Sequence, residues 1–144
     1  MGSLIENEFR SDFALLVEAG FVAVKQLDES SATRLFHAAA LLDPTSMAPK
    51  IGLGYISLNK LELKKAIQAF EEVIKIEPSN MLAQTFLGMC FLLNKAKRKQ
   101  GEALILAAIE KTDDPTIKNL GTLALEWNEK DLKKSKSPFF EKEV

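Results

Sequence analysis

Cysteine and histidine each occur once, as Cys90 and His37, and that scarcity removes several kinds of chemistry. A lone thiol makes no internal disulfide, which fits a reducing compartment and predicts a cytoplasmic location. A single histidine with no cysteine nearby supplies neither a metal set nor a nucleophile and base, because both need convergent partners. His37 therefore reads as a partly exposed structural residue and Cys90 as an inert core thiol. Net charge is nearly absent too: 19 basic residues face 20 acidic ones, and no aromatic residues interleave with a basic stripe, so nucleic acid is not an expected partner. No apolar run approaches the roughly 18–20 residues that cross a bilayer, which predicts no membrane insertion. Residues 1–12 carry Glu6, Glu8 and Asp12 and no apolar run, unlike a secretory leader. The seven glycines are scattered and make no phosphate-cradling loop. The expectation is a non-enzymatic protein with no cofactor and no metal.

What is present is apolar material in a regular pattern. The chain is 47% hydrophobic and 27% charged, which suits one globular domain over residues 1–144. Leu53-Gly54-Tyr55-Ile56-Ser57-Leu58, then Ala66-Ile67-Gln68-Ala69-Phe70, then Ile76-Glu77-Pro78 read as one helix, a turn, a second helix and a proline stop. Moving 34 positions upstream lands Gly54 on Gly20, Ala66 on Ala32, Phe70 on Phe36 and Pro78 on Pro44; moving 34 downstream lands Leu53-Gly54 on Leu87-Gly88. After Lys97-Arg98-Lys99 the offset becomes 37, with Ala66 on Ala103 and Pro78 on Pro115, which predicts a three-residue insertion in the third turn. The Gly and the Ala are small because two helices cross there, the Phe lies one turn further on the same face, and the Pro ends each second helix.

This 34-residue period resembles tetratricopeptide repeats. The resemblance implies an all-α fold of three repeats, at about 13–46, 47–80 and 81–117, wound as a right-handed superhelix with a capping helix. The chain departs from the family pattern at the fourth position of each repeat, where Leu16, Lys50 and Gln84 stand in place of Trp, at Ala19 in place of Leu, and at Ala107 in place of the aromatic of repeat three. In chain order, the first helix runs from about Leu4 or Asp12 to Lys25. Ser30 or Ser31 caps the second, and repeat two starts at Met47 and turns at Asn59-Lys60-Leu61-Glu62. Ser79 or Asn80 caps Leu82 to Leu93, and a basic turn over Asn94 to Gln100 leads into Glu102 to Lys111. A seventh helix spans about 115–134, with Leu120, Leu123, Ala124 and Trp127 as its apolar stripe and a charged tail at 135–144. Lys95-Lys97-Arg98-Lys99 and Lys130-Lys133-Lys134-Lys136 read as solvated turn and helix end.

In that family, positions 2, 5, 9 and 12 of each first helix line a concave groove, and the 3, 4, 3 spacing is one helix face. Here they are Ala14, Val17, Phe21 and Val24; Ala48, Ile51, Tyr55 and Leu58; Leu82, Thr85, Met89 and Leu92. The resemblance therefore implies a partner-binding groove of Val17, Phe21, Val24, Ile51, Tyr55, Leu58, Thr85, Met89 and Leu92, suited to an amphipathic helix; the same residues also suit a tightly wound core. Only Lys25 and Asn59 lie near its edge, unlike the clamps that hold acidic tails. In length, repeat number, apolar groove and capping helix, the chain from about Leu4 to Trp127 resembles the small three-repeat chaperones of type III secretion systems, above all the chaperone of the needle-forming subunit. That resemblance implies a cytoplasmic protein that masks a helix of the needle subunit beside a small helical co-chaperone. The alternatives are a chaperone of secreted translocators and a general helix-binding repeat adaptor.

Overall fold

A computed structural model of the chain describes residues 2–132, with side chains from residue 10 onward. The described residues form seven α-helices and no strand, so the fold is all-α and repeat-like: α1 (Gly2–Lys25), α2 (Glu29–Leu42), α3 (Ala48–Asn59), α4 (Leu63–Ile76), α5 (Met81–Leu92), α6 (Arg98–Lys111) and α7 (Pro115–Trp127). A short 3-10 turn (Lys95–Lys97) precedes α6, and a π-helical turn (Asn128–Leu132) follows α7. The expected tail, 135–144, lies outside the described residues. The chain divides into two compact units, residues 1–69 and 70–144, with the division falling inside α4.

In the first unit, α1 packs along α2, and both contact α3. The side chain that organises these contacts is Phe36, fully buried on α2. A methyl group built on Gly20 would lie 2.6 Å from its ring, and one built on Gly52 would overlap it, so α1 and α3 both approach the same aromatic through a missing side chain. Ala32, one turn before Phe36, is fully buried as its position predicts, and Ala23, Val24 and Ile56 complete the cluster. Gly54, the expected crossing residue of α3, is buried, but the glycine set against Phe36 is Gly52.

Two turns in this unit share one geometry. Leu27 donates its N–H to Val24 O and Asp28 donates to Ala23 O; Leu61 and Glu62 repeat the pair onto Leu58 O and Ser57 O. This is the helix-ending motif that places one residue in the left-handed region, normally glycine, and here Leu27 and Leu61 hold it at φ 61 and 59. The cap of α2 is Asp28, whose carboxylate accepts the Ser31 N–H at 3.1 Å, so Ser31 is the donor and neither Ser30 nor Ser31 is the cap.

The second unit pairs α5 with α6 and lays α7 against both. Asn80 caps α5 by accepting the Ala83 N–H at 3.0 Å, and Phe70 stacks on Phe86 with centroids 5.4 Å apart. The register of α6 differs from the one that the 37-residue offset predicts. Ala103 is exposed, while Gly101 and Ile105 are buried; a methyl built on Gly101 would lie 2.6 Å from Gly88 O, and one on Gly88 would lie 2.6 Å from Ile105 Cγ1. Gly101 and Ile105 therefore occupy the places of Ala66 and Phe70 at an offset of 35, and Ala107 is not the residue in the aromatic place. One extra residue sits in the basic turn and two more sit before Pro115, so the insertion is split. Accordingly α6 begins at Arg98, four residues before the expected Glu102.

On α7 the buried line is also rotated from the expected stripe. Gly121, Ala124 and Asn128 are buried with Leu132, whereas Leu123 and Trp127 are 63% and 39% exposed. The Asn128 amide donates to Glu102 Oε1 at 2.6 Å, tying the end of α7 to α6.

Candidate functional site

The nine groove positions fall in both units, six in the first and three in the second. In the first unit, α1 presents Val17 and Phe21 half-buried, and α3 presents Tyr55 half-buried beside them. Phe21 meets Phe36 edge-on at 5.1 Å between centroids and leans on Tyr55 at 5.8 Å, so the two rings are held in place by the core beneath. Val24, Ile51 and Leu58 are buried, and Val24 belongs to the cluster beneath the rings. Burial leaves these three with little surface for a ligand.

In the second unit, Thr85 and Leu92 are fully buried. The Thr85 hydroxyl donates to Met81 O at 2.8 Å, which satisfies it within its own helix. Met89 is half-buried and packs on the cluster of Leu92, Ile105, Ala124 and Leu132. The structure thus leaves Val17, Phe21, Tyr55 and Met89 with side-chain surface that a ligand can touch. The chemistry on offer is dispersion and apolar burial, with an aromatic pair on the first unit.

A cleft of about 110 Å³ opens beside the first turn, lined by Val24, Leu27, Glu29, Ile56, Asn59 and Lys60. Lys60 Nζ closes one side, 3.0 Å from Glu29 Oε1 and 2.8 Å from Glu62 Oε1, and Lys65 reaches the other Glu62 oxygen at 3.1 Å. Hydrogen bonds to Glu62 and then Glu29 raise the Lys60 ammonium above its usual pKa, and those from Lys60 and Lys65 hold the Glu62 carboxyl below its own. All these groups face solvent, so the network orients the turn more than it stabilises the fold. Leu27, 87% exposed, stands at its rim and lies outside the nine groove positions. Its signal was in the sequence, because Leu27 and Leu61 recur at the repeat spacing of 34.

Cys90 is buried and its thiol is pushed up to about 12 by burial, which keeps it protonated and unreactive. His37 is exposed on α2. In the basic turn the Lys97 ammonium lies 5.2 Å from the Phe91 ring centroid, and Arg98 Nε donates to Leu92 O. Among the described residues no group of three or more His, Cys, Asp or Glu side chains is placed to hold a metal ion, and no helix is long and apolar enough to cross a membrane. No protein-family model, curated protein or solved structure matches the chain.

Proposed function

We propose that this protein is a non-enzymatic helix-binding chaperone built from tetratricopeptide repeats, of the kind that serves the needle subunit of a type III secretion system in the cytoplasm. The observation that carries the reading is the apolar face of the first unit, where Phe21 and Tyr55 stay half-buried above a core of Val24, Phe36 and Ile56, with Val17 half-buried one turn before Phe21 on α1. Half-buried aromatics on a rigid base suit an amphipathic helix, whose apolar residues at i, i+3, i+4 and i+7 would find fixed rings. Met89 offers the same chemistry on α5. Masking the helix through which a needle-type subunit polymerises would hold that subunit soluble until export, with a small helical co-chaperone as the further partner.

The test is inhibition of assembly. A purified needle-type subunit forms fibres that sediment; an equimolar amount of this protein is expected to keep it in the supernatant. Val17→Asp and Tyr55→Ser variants that retain wild-type helix content are expected to lose that protection, since truncating an aromatic anchor commonly costs about 2 kcal/mol of binding, roughly thirtyfold. Folded variants that protect as well as the wild type would remove this face from the mechanism. A wild-type protein that leaves fibre formation unchanged would remove the needle subunit as its partner.

A further inference from the structure

The cleft beside the first turn joins an apolar floor to a charged mouth. Val24 and Ile56, both buried, close its base, Leu27 walls one side, and the exposed residues Glu29, Asn59 and Lys60 stand at the opening. Its volume of about 110 Å³ holds roughly four groups of methylene or water size, at about 30 Å³ each. Leu27 forms its wall from the left-handed region, at φ 61, a conformation that costs a leucine and not a glycine. The fold gains little from that leucine, since its side chain is 87% exposed. Backbone strain of this kind gathers at ligand sites.

The charges at the mouth set the sign of what enters. Lys65, Glu62, Lys60 and Glu29 form a chain of alternating sign, linked at 3.1, 2.8 and 3.0 Å, and the chain ends on Glu29. Lys60 Nζ occupies Glu29 Oε1, whereas Glu29 Oε2 has no hydrogen-bond or ion-pair partner among the described residues. The Asn59 amide donates to Tyr55 O at 2.8 Å, which leaves Asn59 Oδ1 to accept. A carboxylate oxygen and an amide oxygen over an apolar floor select a positively charged donor on an aliphatic body. An anion is disfavoured, because two carboxylates already hold Lys60. We propose that this cleft binds the α-ammonium group and branched aliphatic side chain of a leucine-like residue, the side chain on Val24, Leu27 and Ile56 and the ammonium at Glu29 and Asn59. A lysine side chain does not fit, because its charge lies at the far end of the stem and would be carried onto the apolar floor. A free amino acid and the N-terminus of a chain share the chemistry that does. The site lies at the turn, apart from the Phe21 and Tyr55 rings, and it stands whether or not that face binds a helix.

The test titrates the full-length, isotopically labelled protein with L-leucinamide, with isocaproamide, which lacks the ammonium, and with glycinamide, which lacks the side chain. The titration is run near pH 6, below the ordinary α-amino pKa of about 7.7–8.0, so that the amine is charged. L-Leucinamide is expected to shift the amide signals of Leu27, Glu29, Asn59 and Lys60. It is expected to bind roughly fivefold tighter than isocaproamide, the worth of one solvent-facing ion pair, and roughly tenfold or more tighter than glycinamide, the worth of a buried leucine side chain. L-Leucine identifies the source: tighter binding than L-leucinamide assigns the free amino acid, weaker binding assigns a chain N-terminus, and either order supports the site. Glu29→Gln, an exposed change, is expected to bring L-leucinamide down to the affinity of isocaproamide at unchanged helix content. Leu27→Gly is expected to keep the fold and weaken both ligands by the loss of one wall. Equal affinities for L-leucinamide and isocaproamide, a Glu29→Gln protein that binds as the wild type does, shifts confined to Phe21 and Tyr55, or no shift with L-leucinamide at its solubility limit would each overturn the proposal.

Discussion

Gly101→Ala separates two physical effects of opposite sign. In a helix interior, alanine is favoured over glycine by about 1 kcal/mol, so propensity alone predicts a more stable protein. At this position the new methyl would lie 2.6 Å from Gly88 O and 3.0 Å from both Leu92 N and Phe91 Cβ, where ordinary contact begins near 3.4 Å. Two of the three neighbours are main-chain atoms and the third is a Cβ, so no rotamer change relieves the clash. α5 and α6 must separate locally by about 0.8 Å. Overpacking of this kind costs about 1–3 kcal/mol, and a rigid boundary argues for the upper part of that range. The expected net loss is about 1–2 kcal/mol, a fall in Tm of roughly 3–8 °C for a chain of this size. Ala103→Leu is the paired measurement, since Ala103 is exposed and its enlargement should change stability by less than about 0.5 kcal/mol. Thermal and urea denaturation of both variants read the result. A stabilised Gly101→Ala, or an Ala103→Leu that loses more than it does, would refute the register with Gly101 at the crossing.

Two other substitutions probe the turns of the first unit. Leu27→Gly relieves the cost of a left-handed leucine and removes a side chain that is 87% exposed, so the urea midpoint should rise by the equivalent of about 0.5–1 kcal/mol; a fall would mean that the Leu27 side chain holds the turn. The Asp28 carboxyl is held below its ordinary 3.8 by hydrogen bonds from the side chain and backbone of Ser31. A depressed folded-state pKa means stabilisation that is complete above the ordinary value and disappears as pH falls through the folded value. The stability difference between wild type and Asp28→Asn should therefore be constant near neutrality and move against the wild type below pH 3.8, and a difference that stays constant into strong acid would contradict the capping role.

The sequence made the hairpins legible because Ala32 with Phe36 and Ala66 with Phe70 recur at one spacing, and all four are fully buried. The α5–α6 hairpin departs from that spacing for a specific reason. Its crossing residue is Gly101 and its large residue is Ile105, so the spacing of Ala and Pro points instead to Ala103, an exposed alanine away from the crossing. Gly52 leaves no mark in the sequence, because its partner, Phe36, lies on another helix and spacing within α3 carries no sign of it. The candidate face shows a related ambiguity. Val17, Phe21 and Tyr55 are half-buried, while Val24, Ile51 and Leu58 share their periodicity and are buried, because one apolar pattern encodes both a face and a core. Leu15 and Val22, 61% and 50% exposed, are hidden in the same way, inside a helix whose apolar residues surround it.

Phe36 has a consequence for how this sequence can drift. Its ring fills the space left at Gly20 on α1 and at Gly52 on α3, so three positions far apart in the chain share a single volume. Neither glycine can gain a side chain while the ring stays where it is, and the ring cannot shrink without emptying two helix crossings at once. Substitutions at these sites are therefore admissible only in concert, and three helices inherit their spacing from one aromatic residue.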